Sequence, residues 1–390
     1  MDALGLRNTP KYCSANRMKK NKAWEVIISG GGTAGHLMPG ISVAKALVTQ
    51  RVVSASEKVH FVGSRREIEK KLVSEAGFTI TRLPGEGIHR NWSLKNLRAI
   101  YALFIATNKA LFLLLRKRPK IVISLGGYAS APYTIAAILL RVPFILMEQN
   151  AVPGLVNKIF ARFAKASVVA FDGTGLAKSV NLGNPVREEF ISLTEGIDRE
   201  GVRNDLGVNE EILILAFGGS LGAQQINRAV KEFVESWESD SLVVHHVIGE
   251  RDFEEDMFKA SQPSPHIDYR PVKYEDEMPK IMMCADLVIC RAGATTVAEI
   301  SLVGLPAILV PLPNAPGDHQ TLNAKALCEN GAGVLLRNEE LNGERLSEEI
   351  NRLVSDKENL KVMANIAKEF GRPQAASDIA NLINSLLGGK

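Results

Sequence analysis

The chain has 390 residues, about right for two domains of roughly 150–200 residues and too long for one ordinary core. Its 46% hydrophobic and 23% charged residues are ordinary for a soluble globular protein, and its four cysteines (Cys13, Cys284, Cys290, Cys328), with no C-x-x-C spacing, exclude a disulfide framework or a zinc site in favour of reduced thiols. The net charge of +4 hides a split: residues 1–190 hold 28 basic and 11 acidic residues, the rest 19 and 32, giving +17 against −13. One half is thereby suited to an anionic partner, with nucleic acid and anionic lipid headgroups both open at this stage.

In chain order, residues 1–22 are polar and basic, lack the apolar core of a secretory signal, and are predicted as a disordered extension with Met18 as an alternative start. Apolar, β-rich runs then alternate with helical patterns. Strands are predicted at 24–29, 58–62, 80–83, 121–125, 144–147 and 167–170. After a charged stretch come 213–217, 243–248, 287–290 and 307–310. Runs without period-two alternation suit parallel strands covered on both faces. The longest apolar run, 100–115, is interrupted by Asn108 and Lys109 and falls short of the ~20 residues of a spanning helix, so no transmembrane segment is predicted. The fold class is α/β: two doubly wound, Rossmann-like domains facing each other across a cleft. The predicted divisions are 23–187, a linker at 188–208, a second domain at 209–370 and a final helical piece at 371–390 whose docking is not readable from periodicity.

Each half opens with a strand running into a glycine-rich turn. The first is Gly30-Gly31-Gly32-Thr33-Ala34-Gly35-His36, the second Gly218-Gly219-Ser220-Leu221-Gly222. Small residues bring backbone N–H groups close to an anion, and a helix N-terminus favours one. A tight turn without ligand fits each loop too, but loops in both halves favour a shared phosphate ligand. His36 fits a general base, or a structural hydrogen-bonded histidine. A third strand–turn–helix, Cys290 to Glu299, carries Ala294, Thr295, Thr296, Val297 and Ala298. Glu299 fits a ribose-binding carboxylate or a helix-dipole partner. Gln320 after the fourth motif offers an amide to sugar hydroxyls, and Asn150 and Arg187 lie in shorter loops after strands. No D-x-D triplet, G-x-x-x-x-G-K-[ST] loop or H-E-x-x-H motif is present; no metal ligand is assigned, and dependence on a divalent ion stays open.

Together these motifs, over about residues 24–385, closely resemble the MurG family of N-acetylglucosaminyltransferases. The resemblance implies the GT-B fold and inverting transfer of GlcNAc from UDP-GlcNAc to the C4 hydroxyl of MurNAc in lipid I. The product is lipid II for peptidoglycan synthesis, a step of cell wall biogenesis, cell shape and division. It implies no cofactor, since UDP-GlcNAc is a substrate. The implied partners are UDP-GlcNAc, the undecaprenyl-diphosphate-linked MurNAc-pentapeptide and an anionic membrane surface, not nucleic acid, at the cytoplasmic face of the inner membrane. By matched motif, Thr33, Ala34 and Gly35 meet the diphosphates and Asn150 meets the GlcNAc. Arg187 and Ser220 contact the UDP phosphates, 294–299 hold the nucleotide with Glu299 on the ribose, and Gln320 binds sugar hydroxyls. The backbone at Tyr274-Glu275 reads uracil. His36 is the candidate catalytic base. The departures are Ala34 for a usual glycine, Met147 for a histidine and His319 for a glutamine. Leu94, Lys95, Leu97, Arg98, Tyr101, Phe104 and Lys109 form the expected membrane-facing helix, whose bland alternative is a core helix with a solvated basic face. Two other readings stay open: another GT-B UDP-sugar enzyme, such as a glycolipid glycosyltransferase or an epimerase, and a non-catalytic scaffold of the same fold.

Overall fold

The computed structural model describes residues 24–31, 34–82, 94–219, 221–254, 258–260 and 262–388, without the side chains of 34, 94–98 and 195. The predicted extension therefore lies outside the described residues. Two all-parallel sheets carry the chain. The first comprises β1 (Val26–Ser29), β2 (Val59–Gly63), β3 (Thr79–Arg82), β4 (Ile121–Ser124), β5 (Phe144–Glu148), β6 (Ser167–Val169) and β7 (Ser179–Asn181), in the order β3-β2-β1-β4-β5-β6-β7. The second comprises β8 (Ile212–Phe217), β9 (Leu242–Val247), β10 (Ile267–Val272), β11 (Leu287–Cys290), β12 (Ala307–Leu309) and β13 (Gly333–Leu335), in the order β10-β9-β8-β11-β12-β13. This is the doubly wound pair expected from the alternating pattern.

Parallel neighbours need crossovers, and helices supply most of them. Around the first sheet run α1 (Ala34–Thr49), α2 (Glu67–Glu75), α3 (Leu94–Lys117), α4 (Ala131–Leu139) and α5 (Leu155–Phe160). Next come α6 (Glu188–Gly196), α7 (Arg199–Asp205), α8 (Gln224–Ser236), α9 (Glu250–Glu254), α10 (Met278–Cys284), α11 (Ala294–Val303) and α12 (His319–Cys328). The last three are α13 (Gly343–Val354), α14 (Lys357–Glu369) and α15 (Ala375–Leu386). Val26 and Ile28 of β1 pack with Leu37 and Leu47 of α1, whereas Ile27 faces Ala110 of α3 and Tyr133 of α4. Alternate residues thus serve opposite faces although every one is apolar, because both faces are covered.

Two stretches differ from the sequence expectation. The apolar run at 100–115 is part of a 24-residue helix, α3, whose segment 99–117 has the length and composition to cross a membrane. Asn108 does not break it, because its Nδ2 donates to the Phe104 carbonyl at 2.9 Å, as Thr107 Oγ1 does to Leu103 at 2.8 Å. Ala99, Ala106, Ala110 and Leu114 are buried against the sheet, while Ile100, Tyr101, Phe104, Phe112 and Leu115 are exposed, so α3 is docked along one face. The expected side chains at 94, 95, 97 and 98 lie outside the described residues. The stretch 188–208 is not an irregular linker but α6 and α7, which cover the second sheet. Phe190 is buried in the second core, and Arg203 Nη1 donates to the Cys284 carbonyl at 2.7 Å. Polar helices with few core contacts have weak periodicity, which is why the sequence reads as a connector.

The chain crosses between sheets twice, before α6 and after α14. The crossings touch: a Cβ at Gly183, whose φ is +83°, would lie 2.5 Å from Arg372 Cβ. After the second crossing, α15 returns to the first domain. Its Ile379, Ala380 and Ile383 join the cluster of Val26 and Ile28, and Gln50 Nε2 donates to Ser377 Oγ at 2.7 Å. Ile383→Ala should lower unfolding stability by about 2–5 kcal/mol, read by chemical denaturation. An unchanged midpoint would mean that α15 does not complete the first core.

Candidate active site

In an open parallel sheet the crevice opens where crossovers leave in opposite directions. Here that is between β1 and β4 in one sheet and between β8 and β11 in the other. Register places Ser29 opposite Ser124, so the next residues, Gly30 and Leu125, abut. A Cβ at Gly30, with φ +147°, would lie 2.7 Å from Leu125 Cβ. The chain then enters α1. Pro39 inside that helix has no N–H, so the Gly35 carbonyl has no i+4 donor. Thr295 Oγ1, on the first turn of α11, donates to it at 3.1 Å. A carbonyl orphaned in one domain is satisfied by the other.

His36 follows Gly35 and is half-buried. Burial holds its pKa below the usual 6.5, with Glu148 pulling it up and His319 pushing it further down. The imidazole is therefore neutral near pH 7, the form that accepts a proton. Glu148 ends β5 and is nearly fully buried. Its Oε1 accepts from the Asn150 backbone N (3.1 Å) and Nδ2 (3.3 Å), its Oε2 from Gly154 N and Asn157 Nδ2 (both 2.9 Å). So oriented, Asn150 Oδ1 accepts from Asn323 Nδ2 of α12 at 3.2 Å, while Asn323 Oδ1 accepts from Ala151 N at 2.8 Å. This amide pair is a second bridge across the cleft.

On the opposite wall, α11 starts after an extended Gly293 and has no acidic residue in its first turn. Its free N–H groups and dipole suit an anion. Glu299, one turn on, is held by Arg187, whose Nε and Nη2 lie 3.3 and 3.2 Å from Oε1. Arg187 also stacks on Phe190 at 4.9 Å. Burial raises the Glu299 carboxyl to about 7 even though Arg187 opposes the rise. Gln320 spends its Oε1 on the Leu312 N–H at 2.9 Å, which leaves its NH₂ group as the donor for a ligand.

The structure thus gathers Gly35, His36, Asn150, Arg187, Thr295, Glu299 and Gln320 around one cleft. Thr33 and Ser220 lie outside the described residues, as does the Ala34 side chain. Glu275 is turned into its own domain: Oε2 pairs with His245 Nε2 at 2.9 Å and Oε1 accepts from Glu277 N at 2.8 Å, beside an exposed Tyr274. Ala294, Val297 and Ala298 line an interdomain cavity together with Ala151, Asn184 and Val186. Sequence reasoning offered Asn323 only as a further amide suited to sugar hydroxyls and assigned no role to Glu148, nor to Arg291, whose Nη1 donates to the carbonyls of Val310 (3.2 Å) and Pro311 (3.0 Å) and so clasps the third motif to the fourth. A proline four residues after Gly35 was a legible sign of an orphan carbonyl there.

Family models match both halves: the glycosyltransferase family 28 N-terminal domain over residues 26–169 and its C-terminal domain over 213–379. The relative from Myxococcus xanthus is 37% identical, covering 93% of each chain, and that from Alkalilimnicola ehrlichii is 38% identical, covering 92% of this chain and 97% of the relative. Both are UDP-N-acetylglucosamine–N-acetylmuramyl-(pentapeptide) pyrophosphoryl-undecaprenol N-acetylglucosamine transferases. The crystal structure of Acinetobacter baumannii MurG superposes with a TM-score of 0.75 at 29% identity, over 93% of this chain and 99% of that one. The chain belongs to the MurG family. A putative UDP-N-acetylglucosamine 2-epimerase from Listeria monocytogenes (TM-score 0.65, 18% identity, 93% and 97% coverage) shares the fold. MurG membership and the two parallel sheets agree on a GT-B glycosyltransferase.

Because the folded state favours neutral Glu299, ionisation works against folding as pH rises from the ordinary 4.5 through about 7. Glu299→Gln removes that cost. Its Tm should exceed that of the wild type at pH 8, and the gap should close by pH 5, followed by differential scanning calorimetry. A gap independent of pH would contradict the raised pKa.

Proposed function

We propose that the chain transfers GlcNAc from UDP-GlcNAc to the MurNAc C4 hydroxyl of lipid I, with inversion, at the cytoplasmic face of the inner membrane as a peripheral protein. The observation that carries this reading is the single cleft in which a neutral His36 from the first sheet shares a hydrogen-bonded junction with the acid-free start of α11 from the second. The relatives named above carry the same activity in their descriptions, and their full-length match supports it. As a two-domain division, residues 23–187 take the acceptor and membrane, and the second sheet with its helices takes the nucleotide.

In this mechanism the acceptor oxygen attacks the anomeric carbon, its proton passes to His36 Nε2 or Nδ1, and the carbon–oxygen bond to the diphosphate breaks with its electron pair leaving on UDP. The N–H groups at the start of α11, with the loop at Gly219–Ser220 and Arg187, offset the charge that builds on the diphosphate. Glu299 accepts from the ribose hydroxyls, Arg187 then being released to the phosphates. Asn150 and the Gln320 NH₂ hold the sugar, Thr33, Ala34 and Gly35 the diphosphates, and the Glu275 backbone the uracil. The acceptor is a lipid, and the exposed Tyr101, Phe104, Phe112 and Leu115 of α3 with Lys109, Arg116 and Lys117 form the face suited to an anionic bilayer.

The deciding experiment supplies radiolabelled UDP-GlcNAc with a short-chain lipid I analogue. A lipid-linked disaccharide is expected; a free sugar product would indicate an epimerase, and UDP binding without turnover a scaffold. His36→Ala should lower kcat about 100-fold or more with little change in UDP-GlcNAc affinity. Unchanged kcat would remove His36 from the mechanism. Flotation with anionic liposomes at low salt should recover the wild type with the vesicles and leave Phe104→Glu in the soluble fraction; equal recovery would reject the α3 face.

A further inference from the structure

A glycine turn has no side chains of its own to hold it, yet an anion site works best when its N–H groups are fixed before the ligand arrives. Each half of the chain meets this need in the same place. Glu69 is the third residue of α2, and Asp252 is the third residue of α9. Each of those helices follows the strand beside the first strand of its sheet, β2 next to β1 and β9 next to β8. A first-turn acid ordinarily offsets the helix dipole from the solvent side. These two are instead 1% and 0% exposed and turn onto the glycine loops. A Cβ at Gly31 would lie 2.6 Å from Glu69 Oε1 and 2.7 Å from Oε2, and one at Gly222 would lie 2.5 Å from Asp252 Oδ2. Gly31 φ is outside the left-handed region, and the three atoms nearest to its added Cβ all belong to the Glu69 carboxyl group. The close carboxylate, not the backbone, is what asks for glycine there.

Both carboxylates are held from behind. Ser64, between β2 and α2, donates to Glu69 through its N–H (2.7 Å) and its Oγ (2.5 Å). Asp252 accepts from Arg251 Nε at 2.7 Å and from Asn227 Nδ2 at 3.0 Å. Asn227 lies on α8, which the second loop opens, and its Nδ2 also donates to the Ile248 carbonyl at 3.0 Å. Its Oδ1 then accepts from His246 Nε2 at 3.0 Å, which leaves His246 Nδ1 to accept from the Tyr269 hydroxyl at 2.9 Å. Burial pushes the His246 pKa down to about 3, so the ring is neutral and keeps this tautomer. A run of donors pointing one way from β10 thus ends on the carboxylate beside Gly222.

We infer that Glu69 and Asp252 are positioning residues, one for each glycine loop. Glu69 sets the turn that leads into α1 and His36, and Asp252 sets the turn that meets the UDP diphosphate. Each acts through the backbone of its loop. The inference rests on the transferase reading for the identity of the two substrates. A carboxylate that only completed a core would weaken folding when lost, with no preference between substrates. A brace under one loop changes the step which that loop serves.

Two measurements on the full chain test this: turnover with UDP-GlcNAc and a short-chain lipid I analogue, and UDP binding by calorimetry. Glu69→Ala should lower kcat about tenfold or more and leave the UDP Kd within about threefold of the wild type. Asp252→Ala should raise the UDP Kd about tenfold or more. Glu69→Gln and Asp252→Asn keep the outline and one acceptor oxygen, so both should stay within about threefold of the wild type. Gly31→Ala retains both carboxylates but places a methyl group where that of Glu69 lies. It should reproduce the kcat loss, and combining it with Glu69→Ala should add no further loss. Gly31→Ala and the two amide variants decide the matter even where an alanine variant fails to fold. Wild-type kcat in Gly31→Ala, an equal rise of the UDP Kd in Glu69→Ala and Asp252→Ala, or amide variants as impaired as the alanine ones would each overturn the assignment. A wild type that binds UDP but forms no lipid-linked disaccharide would count against the transferase reading alone, and the UDP titrations would still decide the role of Asp252.

Discussion

One orphaned carbonyl sets the geometry on which the cleft depends. Pro39 cannot donate, so the exposed Gly35 oxygen is left open to a partner outside α1, and Thr295 supplies one from the other domain. Residues adjacent in the helix are then fixed with respect to the partner domain. His36 follows the acceptor by one position. Glu299 follows the donor by four, on the same helical face. The Asn150–Asn323 pair adds a second clamp from β5 to α12. Three side chains and one main-chain carbonyl thereby fix the base relative to the nucleotide wall without any element running through the cleft.

A second constraint is electrostatic. Glu299 and Arg187 are each suited to part of a nucleotide, and here they satisfy one another. A buried carboxylate without a cation would be costly, and a cation beside an apolar core equally so. Each therefore occupies the place of the other's ligand group. Glu275 shows the opposite arrangement: its carboxylate is committed to His245 and to the Glu277 N–H of its own loop, while the Tyr274 ring is exposed.

The central strands were legible because burial on both faces leaves a continuous apolar run, as in β1, β4, β5, β8 and β11. Three of the four edge strands, β7, β10 and β13, were not. Ser179–Asn181 of β7 is exposed throughout, and β10 contains Pro271, tolerated because that strand lies at the sheet edge. Residue types at the cleft were also legible, since glycine turns, a histidine, amides and a carboxylate each bring a known chemistry. Their pairings were not, because a contact between residues 35 and 295, or 150 and 323, is a property of the packed domains and leaves no local pattern. Helices α6 and α7 escaped for a related reason: a single buried Phe190 and a buried Arg203 bonded to the carbonyls of Cys284 and Glu211 do not create a periodic apolar stripe.

The return of α15 to the first domain has a consequence for how the molecule is made. Domains generally fold as units during synthesis, the N-terminal one first. Here the first sheet emerges early, yet Ile379 and Ile383 leave the ribosome only after the whole second domain. Until then the face of α1 that they cover stays open to water through the translation of the entire second domain. A nascent chain stalled between α14 and α15 would carry a finished second domain and an unfinished first one, with an apolar surface on offer to chaperones or to other nascent chains.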